Sequence, residues 1–539
     1  MGQRSFAPAI TILARDNLMK IHTIKQWLSL LLCLQLLPFF MSPPRVLADV
    51  HSPDEVAVKD IWGRPLLDTP IVLVDWEGYI ANPAIKLFVV PPTNAVLPVA
   101  ATLRANGVRL YFDLPGQVGP NGPSKSLFFT NRSPIPFYLS LFPDRDSLDE
   151  AYALTITFID GQNTQSTTTV DIHVLDQDKP DQNQEDSEAI QIAVEFSQDQ
   201  TGLFGDPLKQ AIVQQVAADW AYFFDDMQLD SVSAGMEQTF IWHPDGFNSG
   251  TWFANAKPYT GYLLYAYGNQ NSELRSGGQP SLHAFQTRSG LQLPLRRSGG
   301  IQMHTAGNYN TLGWFLTTGD DDWWVSGNLG DEKNDFYSIV HHEMGHALFF
   351  NPGYPGFDQA KTAGQITDPA VFAYQGVMPQ IDPFDHFAGE VDKVSQRGAF
   401  GNEYFGNVPQ RRWLITKLDL LMAQAIGYNL RQTSPFAPVS ASGSHLSLAG
   451  IGEPYRFTPQ ASGGIPFYNW TIDAGELPAG IALDPFTGTL SGIPSAPGTY
   501  PTTLRVQDYD QASPGVPIQH SIIVVNDLTK LFLPLITAN

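Results

Sequence analysis

The chain has 539 residues, too many for one ordinary core, so two to four domains are expected, each able to bury a sizeable interior. Its 53 acidic against 31 basic residues give a formal charge of −22, which opposes nucleic acid and anionic membrane surfaces as partners and suits solubility outside a cell. The single cysteine, Cys33, lies in the first apolar run, so a chain cleaved after that run has no disulfide scaffold, cysteine nucleophile or thiolate zinc site. Any metal must then be held by His, Asp or Glu.

Residues 1–48 read as a secretory signal peptide. Lys20 and Lys25 precede the apolar run "WLSLLLCLQLLPFF", and "RVLA" supplies small or apolar residues before a cut after Ala48. The run is too short to span a bilayer comfortably, so no stable membrane insertion is expected after cleavage. Cleavage removes five bases and one acid, which takes the formal charge to −26. The expected location is secreted, extracellular or associated with a cell surface.

Residues 49–178 carry short alternating runs such as "PIVLVDW", "VRLYFDL" and "YALTITFID", broken by Pro, Gly and Asn, which predicts an antiparallel β-sandwich. An acidic linker follows at 179–189. "IQIAVEF" then alternates as a strand, and Asp206 with Pro207 make an N-cap and first-turn pair before Leu208, Ile212, Val216, Trp220 and Phe224, spaced by four along a helix. "QTFIWH" and "GYLLYAYG" read as further strands, and Arg275 to Gly300 as loop. A motif helix follows Asn334 and Asp335, either of which can cap it. A closing helix begins at Thr416, with Asp419 at capping-box spacing, and stops at Gly427. Residues 190–431 thus read as an α+β domain.

After a linker at 432–445 come strand-like runs with Gly and Pro turns over 446–528, and a short tail at 529–539. "GGIPFYNW", "GELPAGIALDPFTGTLSGIP" and "GTY" resemble the immunoglobulin-like domains of bacterial secreted proteins, which implies a β-sandwich used for spacing or attachment. The N-terminal sandwich ends in "VDIHVLDQDKP", loosely similar to cadherin-type repeats. Cell-surface or matrix attachment through these sandwiches is an expected partner interaction. "TGDDDWW" and the Asp-rich linker are candidate calcium (Ca2+) ligands, but neither has calcium-loop spacing, and a solvated acidic surface accounts for both.

The chemistry concentrates in "SIVHHEMGHALFF", Ser338 to Phe350. Positions i and i+4 share one helix face, so His342 and His346 can present ring nitrogens to a single ion. Glu343, about a third of a turn away, can take a proton from a water on that ion without ligating it. Val340, Met344, Ala347 and Leu348 form an apolar stripe on the far side. His341 has Gly345 four residues on and reads as a neighbour rather than a ligand.

A catalytic zinc (Zn2+) needs a third protein ligand and an open position. The compact pattern HExxHxxGxxH is absent, because Phe349 and Pro352 stand at its last two fixed positions. His386 is the only downstream histidine inside the middle domain, and Asp358, Asp385, Glu390 and Glu403 compete as carboxylate ligands.

"VHHEMGHAL", a long insertion, "DHFAGEVDKVSQRGAFGNEYFG" and "ITKLDLLMAQAIGYNL" resemble the leishmanolysin-like branch of metzincin peptidases. That resemblance implies His342, His346 and His386 as zinc ligands and Glu343 as general base. Phe405 stands where that branch has the methionine beneath the metal, so the Met-turn is altered or supplied elsewhere, for example by Met422. The expected fold class is multidomain: a central α+β metzincin-like zinc peptidase domain flanked by N- and C-terminal all-β sandwiches. The expected function is metalloendopeptidase, acting on a protein or peptide substrate. The rival is a secreted adhesion or carbohydrate-binding protein whose peptidase-like domain is inactive.

Overall fold

In residues 57–178 the alternation expected of a sandwich is realised as buried and open positions on successive residues. Ile156 and Phe158 of Glu150–Ile159, and Val170, Ile172 and Val174 of Gln165–Asp176, point inward between neighbours that are half-buried or exposed. Two sheets result, of five and four strands, and Ile71–Asp75 runs parallel to Gln165–Asp176 within an otherwise antiparallel five-stranded sheet. These coordinates are a computed structural model that describes residues 57–66, 69–107, 109–112, 124–178, 189–242, 250–270, 276–307, 313–316, 334–400, 412–443, 445–510 and 514–528. The signal peptide, the acidic linker from 179 to 188, "TGDDDWW", Glu403, Phe405 and the tail lie outside the described residues.

In the middle region Ile192–Glu195 (β1) leads into Pro207–Tyr222 (α1). Asp206 accepts from the Leu208 N–H, as its cap position requires, and Ile212, Val216 and Trp220 are buried. Leu208 stays 38% exposed, so the apolar stripe starts one turn later than its spacing predicts. Tyr262–Asn269 (β2) pairs in parallel with β1 and with Ser298–His304 (β4), while Gly277–Pro280 (β3) runs antiparallel at the outer side of β4. All eight residues of β2 are buried. The strand "GYLLYAYG" is therefore central, because a strand covered on both faces reads as a continuous apolar run. The stretch from Arg275 to Gly300, expected as loop, contains β3 and an antiparallel pair, Phe285–Arg288 with Leu291–Arg296. Its Gly, Ser and Arg content hid these strands.

Phe336–Leu348 (α2) lies on this sheet against β3 and β4. Gly278 makes that closeness feasible: a Cβ there would collide with the Glu343 carbonyl. Among the described residues, Pro355–Ala360 (α3), Pro369–Gln375 (α4) and Lys417–Ile426 (α5) are the remaining α-helices. The capping box at the start of α5 is present in both directions between Thr416 and Asp419, and Gly427 ends the helix. Among the described residues no helix is long and apolar enough to cross a membrane.

Separate interiors are expected from the sequence; the structure has one hydrophobic cluster running from Val58 through the first sandwich and the middle region to Ile465 and Phe467. The C-terminal sandwich has an interior of its own, around Trp470, Leu490, Leu504 and Ile522, and a small separate cluster in the middle region gathers Val232, Tyr259, Leu263, Tyr265 and Tyr267. Main-chain bonds across the first junction explain the continuity: Ile80 bridges Ile415, and Ala84 N–H donates to the Val394 carbonyl at 3.0 Å. Arg64 ties the first sandwich to the last, donating to the Pro485 carbonyl at 2.7 Å and stacking 4.0 Å from the Phe486 ring.

Candidate metal centre

Helix α2 starts where Asp335 takes the N-cap position with extended backbone. Its carboxylate serves an ion pair rather than the first-turn amides: Arg412 donates to both oxygens at 2.9 Å, and Ser338 Oγ donates at 2.6 Å. At the other end the orphan carbonyls are satisfied by buried tyrosines. Tyr262 and Tyr354 donate to Ala347 O at 2.6 Å each, and Tyr428 donates to Leu348 O at 3.0 Å. With both ends held and Val340, Met344, Ala347 and Leu348 buried beneath, the opposite face has a fixed direction.

That face brings His342 and His346 together with His386: one ring nitrogen from each lies within 4.8 Å of the others. Nε2 of His346 is 3.0 Å from Nε2 of His386. That distance suits an N–H···N hydrogen bond, and the same nitrogens are a candidate donor set for one ion of the kind imidazoles bind. No described carboxylate joins the group. Asp385 pairs with Lys361 at 2.6 Å, Glu390 accepts from the Gln380 N–H at 2.9 Å, and Asp358 is exposed on α3.

The orienting contacts fit a metal. Nδ1 of His346 is 2.7 Å from the Phe350 carbonyl, which fixes the proton on Nδ1 and leaves the Nε2 lone pair free. The Asp382 carboxylate lies 3.6 Å from Nδ1 of His386 and also accepts the His386 N–H at 2.9 Å. "FF" after the helix, which breaks the compact motif, thus supplies the orienting carbonyl. Burial, reinforced by the neighbouring rings, pushes His342 well below the ordinary histidine range, and burial pushes His346 down to about 3. Both are neutral imidazoles at physiological pH.

Phe400 is the residue that sequence reasoning missed. Its ring stacks on His342 at 4.8 Å and 7°, meets His346 edge-on at 4.9 Å and lies 6.5 Å from His386. Gly345, between the two helix histidines, is the local signal: any Cβ there would collide with the Phe400 ring. Met422 is fully buried in α5.

Glu343 is 6% exposed, and burial raises its carboxyl to about 8 despite the hydrogen bond it accepts from the Gly278 N–H. His341 is 3% exposed, stacks on Trp220 at 4.6 Å, and its backbone carbonyl accepts from Trp220 Nε1 at 3.3 Å. Burial pushes its pKa to about 3. The folded state therefore excludes a proton that the unfolded chain takes up below about 6.5, so His341 stabilises above that pH and the contribution is lost as pH falls. At pH 5 the loss is about 2 kcal/mol. Urea unfolding in EDTA at pH 7 and pH 5 should show His341→Phe losing about 2 kcal/mol less than the unsubstituted chain; an equal loss contradicts this reading.

A second carboxylate group, Asp75, Asp144 and Asp176, lies in the first sandwich. The Arg109 guanidinium contacts Asp75, Asp144 and Glu150 there, and burial raises Asp144 to about 6 and Asp176 to about 7.

Comparison with known proteins bears on the C-terminal region. Residues 437–519 match the family described as "Putative Ig domain". This region is an immunoglobulin-like domain. Its boundaries begin inside the linker expected from composition and take in most of the segment expected to be Ig-like. No curated protein sequence matches the chain. Among solved structures, a Bacteroides fragilis protein titled "putative alpha-galactosidase" is 26% identical over 16% of this chain and 17% of that one, with a TM-score of 0.14. The Escherichia coli chaperone DraB is 12% identical over 20% and 52%, also at 0.14, and the N-terminal domain of PorA is 13% identical over 22% and 96%, at 0.17. The chain spans only 17% of the first of these, and scores this low establish no shared fold for the whole chain.

Proposed function

We propose that the chain is a secreted zinc-dependent metalloendopeptidase with His342, His346 and His386 as ligands and Glu343 as general base. The observation that carries the reading is the convergence of three imidazoles, two from one helix turn and one from a distant loop, with a buried glutamate next to the first. Zinc held by these three imidazoles would supply a polarising charge for a peptide carbonyl and for the water that attacks it. Glu343 takes the proton of that water and returns it to the leaving amine. No side chain of the protein attacks the substrate in this scheme.

Among the described residues no strand pairs with the outer side of β3, which lies against α2. An extended peptide can add there as a further strand, gaining main-chain hydrogen bonds independent of its side chains. This placement, and the resemblance of "VHHEMGHAL" and "DHFAGEV" to the leishmanolysin-like metzincins, favour a protein substrate.

The test is zinc analysis of the purified full chain together with casein hydrolysis before and after 1,10-phenanthroline. Stoichiometric zinc, loss of hydrolysis with the chelator and recovery on adding zinc are expected. A chain without zinc affinity contradicts the proposal. Zinc bound without hydrolysis of casein or of a peptide library would favour the adhesion reading, for which the immunoglobulin-like domain is the supporting observation.

A further inference from the structure

The third ligand comes from a narrow loop, residues 386–400, closed on itself by main-chain bonds. Phe387 N–H donates to Phe400 O at 3.1 Å, Ala399 N–H to Glu390 O at 3.0 Å, and Asp392 N–H to Arg397 O at 2.8 Å. Val391 and Gly398 form a bridge between these. The base of the loop therefore holds His386 beside Phe400, the ring packed against all three histidines. The tip, 392–397, is remote from them in sequence and is gripped elsewhere.

Much of that grip comes from the first sandwich. Ala84 N–H donates to Val394 O, and Arg397 Nε donates to Tyr111 OH at 3.0 Å. The Arg397 guanidinium also lies 4.4 Å from the Tyr111 ring and 4.9 Å from that of Phe142. Arg397 is 4% exposed, Tyr111 1% and Phe142 3%. Asp392, fully buried, turns the tip: it accepts from the N–H groups of Val394 and Ser395 and anchors it to α5 through the Leu418 N–H at 2.9 Å and to α4 through Tyr374 OH at 3.0 Å. From the immunoglobulin-like domain, Asp510 pairs with Lys393 at 2.7 Å.

A loop bonded along its length transmits the placement of its tip to its base. We infer that the N-terminal sandwich is a positioning element of the metal centre, with Tyr111 and Arg397 fixing the loop that presents His386. The inference rests on the zinc reading above. It gives this sandwich a role that composition and periodicity do not reveal: the sandwich is part of the scaffold that sets how tightly the third imidazole is held. Orienting contacts outside the ligands are worth about 10- to 100-fold in metal affinity, and this one, acting through the loop, belongs at the lower end.

The test measures zinc affinity by chelator competition and the visible absorption of the cobalt-substituted full chain, for Arg397→Ala, Tyr111→Phe and Arg64→Ala. Arg64 joins the first sandwich to the immunoglobulin-like domain without touching the loop, so its variant reports general loosening. Arg397→Ala is expected to lose about tenfold in zinc affinity and to shift the cobalt spectrum towards a weaker ligand set, while Arg64→Ala keeps both. Tyr111→Phe, which removes one hydroxyl and keeps the ring, should show a smaller loss of the same kind and keeps the test decisive if Arg397→Ala does not fold. Unchanged affinity in both loop variants, with the parent chain binding zinc and His386→Ala not, overturns the positioning role alone. An equal loss in Arg64→Ala also overturns it. A parent chain that binds no zinc overturns both this inference and the reading beneath it.

Discussion

The Glu343→Gln protein is expected to bind zinc as the parent chain does and to hydrolyse peptide bonds about 10³- to 10⁴-fold more slowly. The glutamine keeps the volume and the hydrogen bond from the Gly278 N–H but cannot accept the proton of the attacking water, and general base catalysis is worth about 10²- to 10⁴-fold. The loss should fall on kcat, because a proton transfer made only in the transition state contributes nothing to substrate binding. The check is steady-state kinetics on a fluorogenic peptide beside zinc analysis of the same sample. Parallel loss of zinc would show that Glu343 supports the site instead; unchanged kcat would remove it from the mechanism.

His386→Ala should have the larger effect on the metal. Two imidazoles on one helix turn remain, and the lost ligand is one of three, so affinity is expected to fall by more than about 10²-fold, beyond the range of an outer contact. Competition with a chromophoric chelator measures it. Affinity within threefold of the parent chain would move the third position to a carboxylate, with Glu403 the first to test because it lies in the same downstream segment and outside the described residues.

The parts of the site legible in the sequence are those fixed by local rules. The spacing of His342 and His346, the apolar stripe behind them, the Asp206 cap and the capping box at Thr416 all act within a turn or two of helix, so a short window contains their cause. The encounter of His386 with the helix pair rests on counting histidines and on a resemblance, since nothing near "DHF" encodes the distance. What could not be read depends on contacts between segments far apart in the chain. Phe400 sits under the histidines because Asp419 holds its N–H at 2.6 Å and because Gly345 leaves room, and neither gives residues 385–400 a period. The Gly-rich strand β3 has too little side chain to signal a strand, yet Gly278 must be small for α2 to approach it. The hold of Tyr111 on Arg397 crosses what composition marks as a domain boundary.

The most direct test is a crystal structure of the full chain grown with zinc, with diffraction collected on both sides of the zinc absorption edge. One anomalous peak, about 2.0–2.1 Å from ring nitrogens of His342, His346 and His386 with Glu343 outside the coordination sphere, is the predicted result. A peak coordinated by a carboxylate in place of His386, or no peak between α2 and the 386–400 loop, would contradict the account.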